Sequence, residues 1–290
     1  MRAFDLYSPT SLPEALSLIT ELHGEAVPLA GGTNLLPQMR SGDVTPRAIV
    51  SLRRLEELDG LSFDPRQGLR LGARLTLRQL TRSPVVRQHY PCLAKAAAVM
   101  ASEQIRSLAT VGGNLCNAAP SADLAPPLLV LDAQVRLVGP TSDRRLPLEA
   151  FFLGPGRTAR AESELLVEIL LPPPDGTAVY LKHTPRAYMD IAVAGVAVRR
   201  LPSNGHDARV HIALGAVAPV PMIARRAQET LQDGDESPAV MARAAAAAAE
   251  ECSPIDDVRA SAAYRRRLVE ILVRRGLEAV HTGCGERVRR

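Results

Sequence analysis

Two glycine pairs in this chain carry the spacing and surroundings of an anion-binding device. Gly31-Gly32 lies in LAGGTNLLPQMR, and Gly112-Gly113 lies 81 residues later in TVGGNLCNAAPSADLAPPLLVLDA. Each pair follows an apolar or β-branched run and precedes a small polar residue, Thr33-Asn34 or Asn114. Glycine permits close backbone approach and positive φ, so N–H groups can be turned toward an anion. Short polar side chains add further hydrogen bonds. Together the pairs predict two walls of one diphosphate cradle; taken singly, each reads first as a tight turn. No GxGxxG or GxxxxGK[ST] fingerprint is present, so Rossmann and P-loop readings are rejected.

The segment after the second pair is rich in small and polar residues: Asn114, Asn117, Ala118, Ala119, Ser121, Ala122 and Asp123. It has too little bulk for a core layer and reads as backbone lining a ligand. Asp123 is a candidate to cap the following helix and to accept a hydrogen bond from a ribose hydroxyl or a ring N–H, two compatible roles. Met100 falls on an alanine-rich helical segment, Cys92 to Met100, where core packing competes with any ligand role. Cys92, Cys116, Cys252 and Cys284 are scattered without a CxxC pair, and no His or Cys group has metal-ligand spacing. His183 stands alone and reads as structural.

Composition narrows the function classes. The 290 residues are 46% hydrophobic and 23% charged, with a net charge of +4 that forms no single basic block. With no Trp, four Phe and five Tyr, stacking platforms for nucleic-acid bases are scarce. The amino terminus lacks a signal-peptide pattern, and no run approaches the ~20 apolar residues of a membrane span. A cytoplasmic protein with reduced thiols is expected.

The elements that must position these residues follow from periodicity and breakers. Ser11, Pro13 and Glu14 open a helix whose stripe is Leu12, Ala15, Leu16, Ile19 and Leu22. Strands are expected at 26–30, 48–52 and 69–73, without a repeated βαβ unit. A helix is expected over 123–131, a hairpin from 133–138 and 144–148, and a strand over 164–171. The run Pro172-Pro173-Pro174-Asp175-Gly176 marks a domain boundary. Three strands follow at 178–184, 192–199 and 209–216, with a turn at Ser203-Asn204-Gly205, then helices at 239–251 and 260–280.

The two glycine segments together resemble the FAD-binding medium subunit of molybdenum hydroxylases. That family includes carbon monoxide dehydrogenase, bacterial xanthine dehydrogenase and 4-hydroxybenzoyl-CoA reductase. The likeness covers nearly the whole chain. It includes Ile105-Arg106, Glu164-Leu165-Leu166 and the spacing Lys182…Arg186…Asp190. Near the end, Asp257 to Arg265 matches the pattern D-x-R-x-S-x-x-Y-R.

The resemblance implies an α+β fold. An FAD-binding domain of the p-cresol methylhydroxylase/vanillyl-alcohol oxidase type would cover 1–174, as two α+β subdomains of about 1–55 and 56–174. A C-terminal flavoprotein domain, a three-stranded sheet with helices, would cover 177–282, and 283–290 would be a disordered tail. Pro28, Leu29, Ala30, Gly31, Gly32, Thr33, Asn34 and Leu35 would wrap the pyrophosphate and ribityl chain with Thr110, Gly112, Gly113 and Asn114. Asn117 and Asp123 would meet the adenosine ribose or nearby polar edges. Met100 would pack beside the adenine, Leu166 against a ring, and Lys182 would reach the flavin from the second domain. Lys182 is also a plausible surface lysine at a strand end.

The resemblance further implies no catalytic or metal residue in this chain. Substrate oxidation would occur in a large molybdopterin subunit, and electrons would arrive through a small subunit carrying [2Fe-2S] clusters. FAD would pass them to an external acceptor, within a dimer of heterotrimers. A rival reading is a self-sufficient FAD-dependent oxidase, which the scarcity of His, Tyr and Trp disfavours. A scaffold that has lost its cofactor is a third.

Overall fold

A computed structural model describes residues 2–22, 24–202, 209–231, 235–283 and 286–287. The chain opens with β1 (Asp5–Tyr7), α1 (Leu12–Glu21), β2 (Ala26–Leu29), α2 (Leu35–Ser41) and β3 (Ala48–Ser51). The three strands are parallel in the order β1-β3-β2. Parallel neighbours need crossovers, and α1 and α2 supply them. This corrects the sequence reading, which found no repeated βαβ unit. β1 is only three residues long, and Pro37 interrupts the apolar pattern of α2. Proline is tolerated there because it falls in the first turn. Gly42, with φ +91°, ends α2. Ser11 caps α1 as expected, accepting from the Glu14 N–H at 3.4 Å, and Ala15, Leu16 and Ile19 bury its stripe.

The next layer contains β4 (Leu61–Asp64), β5 (Gly68–Gly72), α3 (Pro91–Ala98), α4 (Val111–Cys116) and α5 (Ala125–Val130). It continues with β6 (Gln134–Val138), β7 (Asp143–Pro147) and β8 (Leu165–Leu171). The strands form an antiparallel sheet, ordered β4-β5-β8-β6-β7. β8 is central and apolar on both faces. Leu165 and Val167 join the core under the parallel sheet, while Leu166, Ile169 and Leu171 join the core under the helices. Strict alternation would put Leu166 and Ile169 on opposite faces. A register shift between Leu166 and Glu168 resets the parity.

The carboxy-terminal domain contains β9 (Thr177–His183), β10 (Ala194–Arg200), β11 (Val210–Gly215), β12 (Met222–Ile223), α6 (Pro238–Glu251) and α7 (Ala262–His281). The expected three strands are the centre of a larger sheet, ordered β12-β11-β10-β9-β13. Here β13 (Glu286–Arg287) pairs with Thr177 and Ala178. Two residues of the tail read as disordered are thus a sheet edge. The expected turn at Ser203-Asn204-Gly205 lies outside the described residues.

The domains are bolted together by buried polar side chains. Arg199 of β10, 2% exposed, donates to the Val130 carbonyl at 2.9 Å, to Asp132 at 2.8 Å and to Asp175. Within the first domain, the Tyr90 hydroxyl donates to the Pro172 carbonyl at 2.7 Å and holds the start of the boundary run. The signature around Asp257 acts within the second domain. Asp257 accepts from the Arg259 and Ala260 N–H groups and from Arg265, and Ser261 caps α7. Arg265 is buried and donates to the Val193 and Ala216 carbonyls. That motif is structural: it fixes where α7 begins.

Glu164 anchors the start of β8. Its carboxylate accepts from Arg144 twice at 2.8 Å, from Ser142 at 3.1 Å and from the Ala161 N–H at 2.9 Å. The Arg144 hydrogen bonds outweigh burial and hold this carboxyl down at about 2, against 4.5 in the unfolded chain. A depressed folded-state value means the stabilisation is complete above about pH 4.5 and is lost as pH falls toward 2. Glu164→Gln is expected to lower stability at neutral pH by roughly 2–3 kcal/mol. It should also flatten the acid limb of the stability profile; denaturant titrations at stepped pH check both, and an unchanged acid limb contradicts the assignment.

Candidate functional site

The two glycine segments face one cleft of about 520 Å3 between the parallel sheet, the antiparallel sheet and the second domain. They do so by different means. The first segment links β2 to α2, and Gly32 takes a left-handed φ of +70°. Among the described residues, the N–H groups of Gly31, Gly32, Thr33 and Asn34 have no protein acceptor. These are the bare donors the sequence predicts.

The second segment departs from that expectation. It is the first turn of α4, and its donors are already used. The Val111 and Gly112 N–H groups donate to the Leu75 and Ala73 carbonyls, each at 2.9 Å. The Gly113 N–H donates to Thr110 Oγ1 at 3.0 Å, and the Asn114 N–H to the Thr110 carbonyl at 2.9 Å. This wall therefore offers side chains rather than N–H groups. Asn114 Oδ1 is buried and has no hydrogen-bond partner. An orphaned buried acceptor in a cleft wall is the mark of a missing ligand donor.

Close packing against neighbouring backbone explains two of the four glycines. A Cβ on Gly31 would sit 2.1 Å from the Leu108 carbonyl oxygen. One on Gly112 would sit 2.7 Å from Ala73. The first contact joins the two segments directly, so the spacing of the walls is set by backbone against backbone.

Pro28, Leu29, Ala30, Thr33, Asn34, Leu35, Met100, Thr110, Asn117, Asp123 and Leu166 all line the same cleft. Met100 is not on a helix: α3 ends at Ala98, and Arg106 donates to the Met100 and Ala101 carbonyls, holding that corner against the wall. Leu166 enters from β8. Sequence reasoning missed Arg160 and Ile191. Arg160 lines the cleft with Nη1 pinned to the carbonyls of Ala161, Glu162 and Glu164. Ile191 is carried in by a loop that Asp190 closes, accepting from the N–H groups of Arg186 and Ile191. The Arg186…Asp190 spacing was the available signal for that loop.

Asp123 does not cap the helix after it. The cap position of α5 is Leu124, without a side-chain hydrogen bond. Its carboxylate instead accepts from the Tyr180 hydroxyl at 2.7 Å and from the Lys182 ammonium at 2.9 Å, both of β9. The two charged side chains are only 8% and 9% exposed. Lys182 does not line the cleft; it meets it through Asp123, and also donates to the Val99 carbonyl at 3.4 Å. Burial raises the Asp123 carboxyl, while Lys182 and Tyr180 oppose that rise. Burial pushes the Cys116 thiol in the cleft wall up to about 11, so it is inert at neutral pH. No group of three or more His, Cys, Asp or Glu among the described residues could hold a metal ion.

The Gly31 contact generates a test. Gly31→Ala must displace backbone, not a flexible side chain, and is expected to destabilise by about 1–3 kcal/mol. Thermal unfolding reads the loss. A variant as stable as the parent would mean the loops are not locked at this point.

Comparison with known proteins follows this geometry. Residues 2–174 match the family described as FAD binding domain in molybdopterin dehydrogenase, and residues 179–280 match the CO dehydrogenase flavoprotein C-terminal domain. The chain is 32% identical to the putative xanthine dehydrogenase FAD-binding subunit XdhB of Escherichia coli (strain K12), over 95% of this chain and 96% of that one. It is 32% identical to the carbon monoxide dehydrogenase medium chain of Hydrogenophaga pseudoflava, over 97% and 98%. The solved carbon monoxide dehydrogenase of that organism superposes with a TM-score of 0.92, at 32% identity and coverage of 97% and 98%. Quinoline 2-oxidoreductase from Pseudomonas putida 86 superposes with a TM-score of 0.90 at 27% identity, covering 97% and 98%. With these matches spanning both domains, the chain belongs to the FAD-binding medium subunits of molybdenum-dependent oxidoreductases.

Proposed function

We propose that this chain holds FAD in the cleft and relays electrons from an iron–sulfur subunit to an external acceptor. The observation that carries the reading is the pairing of four unsatisfied N–H donors, Gly31 to Asn34, with the orphaned Asn114 oxygen across one cleft. A diphosphate needs donors, and these are preorganised in the backbone. Charge-assisted hydrogen bonds of this kind contribute roughly 1.5–3 kcal/mol each. FAD bound there supplies reversible redox chemistry, accepting and returning electrons.

The roles divide by wall. Pro28 to Leu35 receive the diphosphate and ribityl chain, and Thr110, Gly112 and Gly113 shape the facing surface. Asn114 accepts from a ligand hydroxyl or N–H. Asn117 and Asp123 bind polar edges, with Asp123 held anionic by Lys182. Met100 and Leu166 supply apolar contact for a ring.

Among the described residues the cleft lining holds no His or Tyr, and its thiol is inert. Asp123 already serves Lys182 and Tyr180. No group is poised to abstract a substrate proton, which supports placing substrate oxidation in a large molybdopterin subunit. A small subunit with [2Fe-2S] clusters would deliver the electrons, within a dimer of heterotrimers in the cytoplasm. No helix of the described residues is long and apolar enough to cross a membrane.

The test is to purify the chain with its co-expressed partner subunits, denature it and identify the released cofactor. One FAD per chain is expected; a colourless complex refutes the proposal. Gly113→Asp places a carboxylate in the cleft, and at least a tenfold loss of FAD affinity is expected from charge repulsion. Gly113→Asn, of the same size but neutral, should retain most of the affinity. Equal loss in both would assign the effect to bulk alone.

A further inference from the structure

Tyr180 and Lys182 are two residues apart on β9 and point to the same side of the sheet. Each supplies one hydrogen bond to a different oxygen of Asp123: the tyrosine hydroxyl to Oδ1 and the ammonium to Oδ2. The ammonium neutralises the carboxylate. The hydroxyl brings no charge, and Tyr180 is 2% exposed and does not line the cleft. Its reach depends on the neighbouring strand. A Cβ on Gly195 of β10 would stand 2.8 Å from the Tyr180 hydroxyl oxygen, so the missing side chain there leaves the space that the hydroxyl occupies.

We infer that Tyr180 is a positioning residue of the FAD site: acting from the second domain through Asp123, it fixes that carboxylate as an anionic acceptor toward the bound cofactor. The inference rests on the function proposed above. A carboxylate oxygen has two acceptor directions. With one on each oxygen taken by β9, the others remain for ligand hydroxyl or N–H donors. A neutral carboxyl would present a donor to those same groups and repel them.

The chemistry suits a donor that stays protonated. Burial and the adjacent carboxylate raise the Tyr180 phenol well above 10, so it donates throughout the working pH range. Burial raises Asp123, and Lys182 and Tyr180, both from β9, are the titratable groups that oppose this. Losing the hydroxyl leaves burial opposed by the ammonium alone. The carboxyl then takes up a proton at higher pH. A hydrogen bond to an ionised group corresponds to a displacement of about one to two pH units.

The experiment titrates FAD retention against pH in the full chain purified with its partner subunits, using flavin fluorescence to read released cofactor. Circular dichroism in parallel separates release from unfolding. Wild type should lose FAD as pH falls through the Asp123 titration. Tyr180→Phe should move that midpoint up by about one to two units. Replacing Tyr180 with 3-fluorotyrosine, a stronger donor of nearly the same shape, should move it down, and this variant decides the matter if the Phe variant does not accumulate. In an Asp123→Asn background, Tyr180→Phe should shift nothing. An unmoved midpoint, an upward shift with fluorotyrosine, or a full effect of Tyr180→Phe without Asp123 overturns the inference. A wild-type complex without FAD overturns the proposed function as well, so the two failures are distinct.

Discussion

A carboxylate and an ammonium, both nearly dry, meet where the second domain closes over the cleft. Asp123 and Lys182 come from segments 59 residues apart and touch at 2.9 Å. Removing one partner of such a pair leaves an uncompensated buried charge, at a cost of about 3–5 kcal/mol. The domain boundary cannot slip without exposing or orphaning it. Arg199 locks the same boundary through the Val130 carbonyl and Asp132, while Tyr90 holds the adjoining proline run to the first domain through the Pro172 carbonyl. The cleft therefore has a fixed roof, and a charge in that roof whose state is set from behind.

Under that roof the two glycine walls are unlike. The first presents unpaired N–H groups because the chain turns from β2 into α2 through Gly32, past the end of the β2 ladder at Leu29 and before the first helical hydrogen bond, from the Leu36 N–H to the Gly32 carbonyl. The second is a helix start whose donors are bonded to the 73–75 backbone and to Thr110. Its contribution is shape and an unpaired amide oxygen. Gly31 against Leu108 holds the walls in contact. A cofactor spanning them would meet donors on one side and acceptors or apolar surface on the other, which suits a diphosphate joined to hydroxyl-bearing chains.

Much of this was legible from local chemistry. The glycine pairs, the small polar segment from Asn117 to Asp123 and the cap at Ser11 lie where their residue types demand. The missed parts have short or interrupted signals. β1 has three residues, α2 carries a proline, and the β8 bulge cannot be seen in a continuous apolar run. The role of Asp123 was misassigned at one point because capping is a local rule. Two donors from β9 outcompeted it, and no local rule contains them. Arg160 and Ile191 were missed because their value comes only from where the loop and sheet carry them.

The sequence by itself determined the class of protein: an aliphatic α+β chain with two glycine-rich segments, a small polar stretch after the second, and a proline run at residues 172–174. Those are properties of residue types and short spacings, which act within a few residues. The tertiary structure decided which N–H groups stay free, which glycine is needed for packing rather than for a turn, and which side chain holds Asp123. Hydrogen-bond satisfaction and burial are settled between distant segments, so they exist only once the sheets and the second domain have come together.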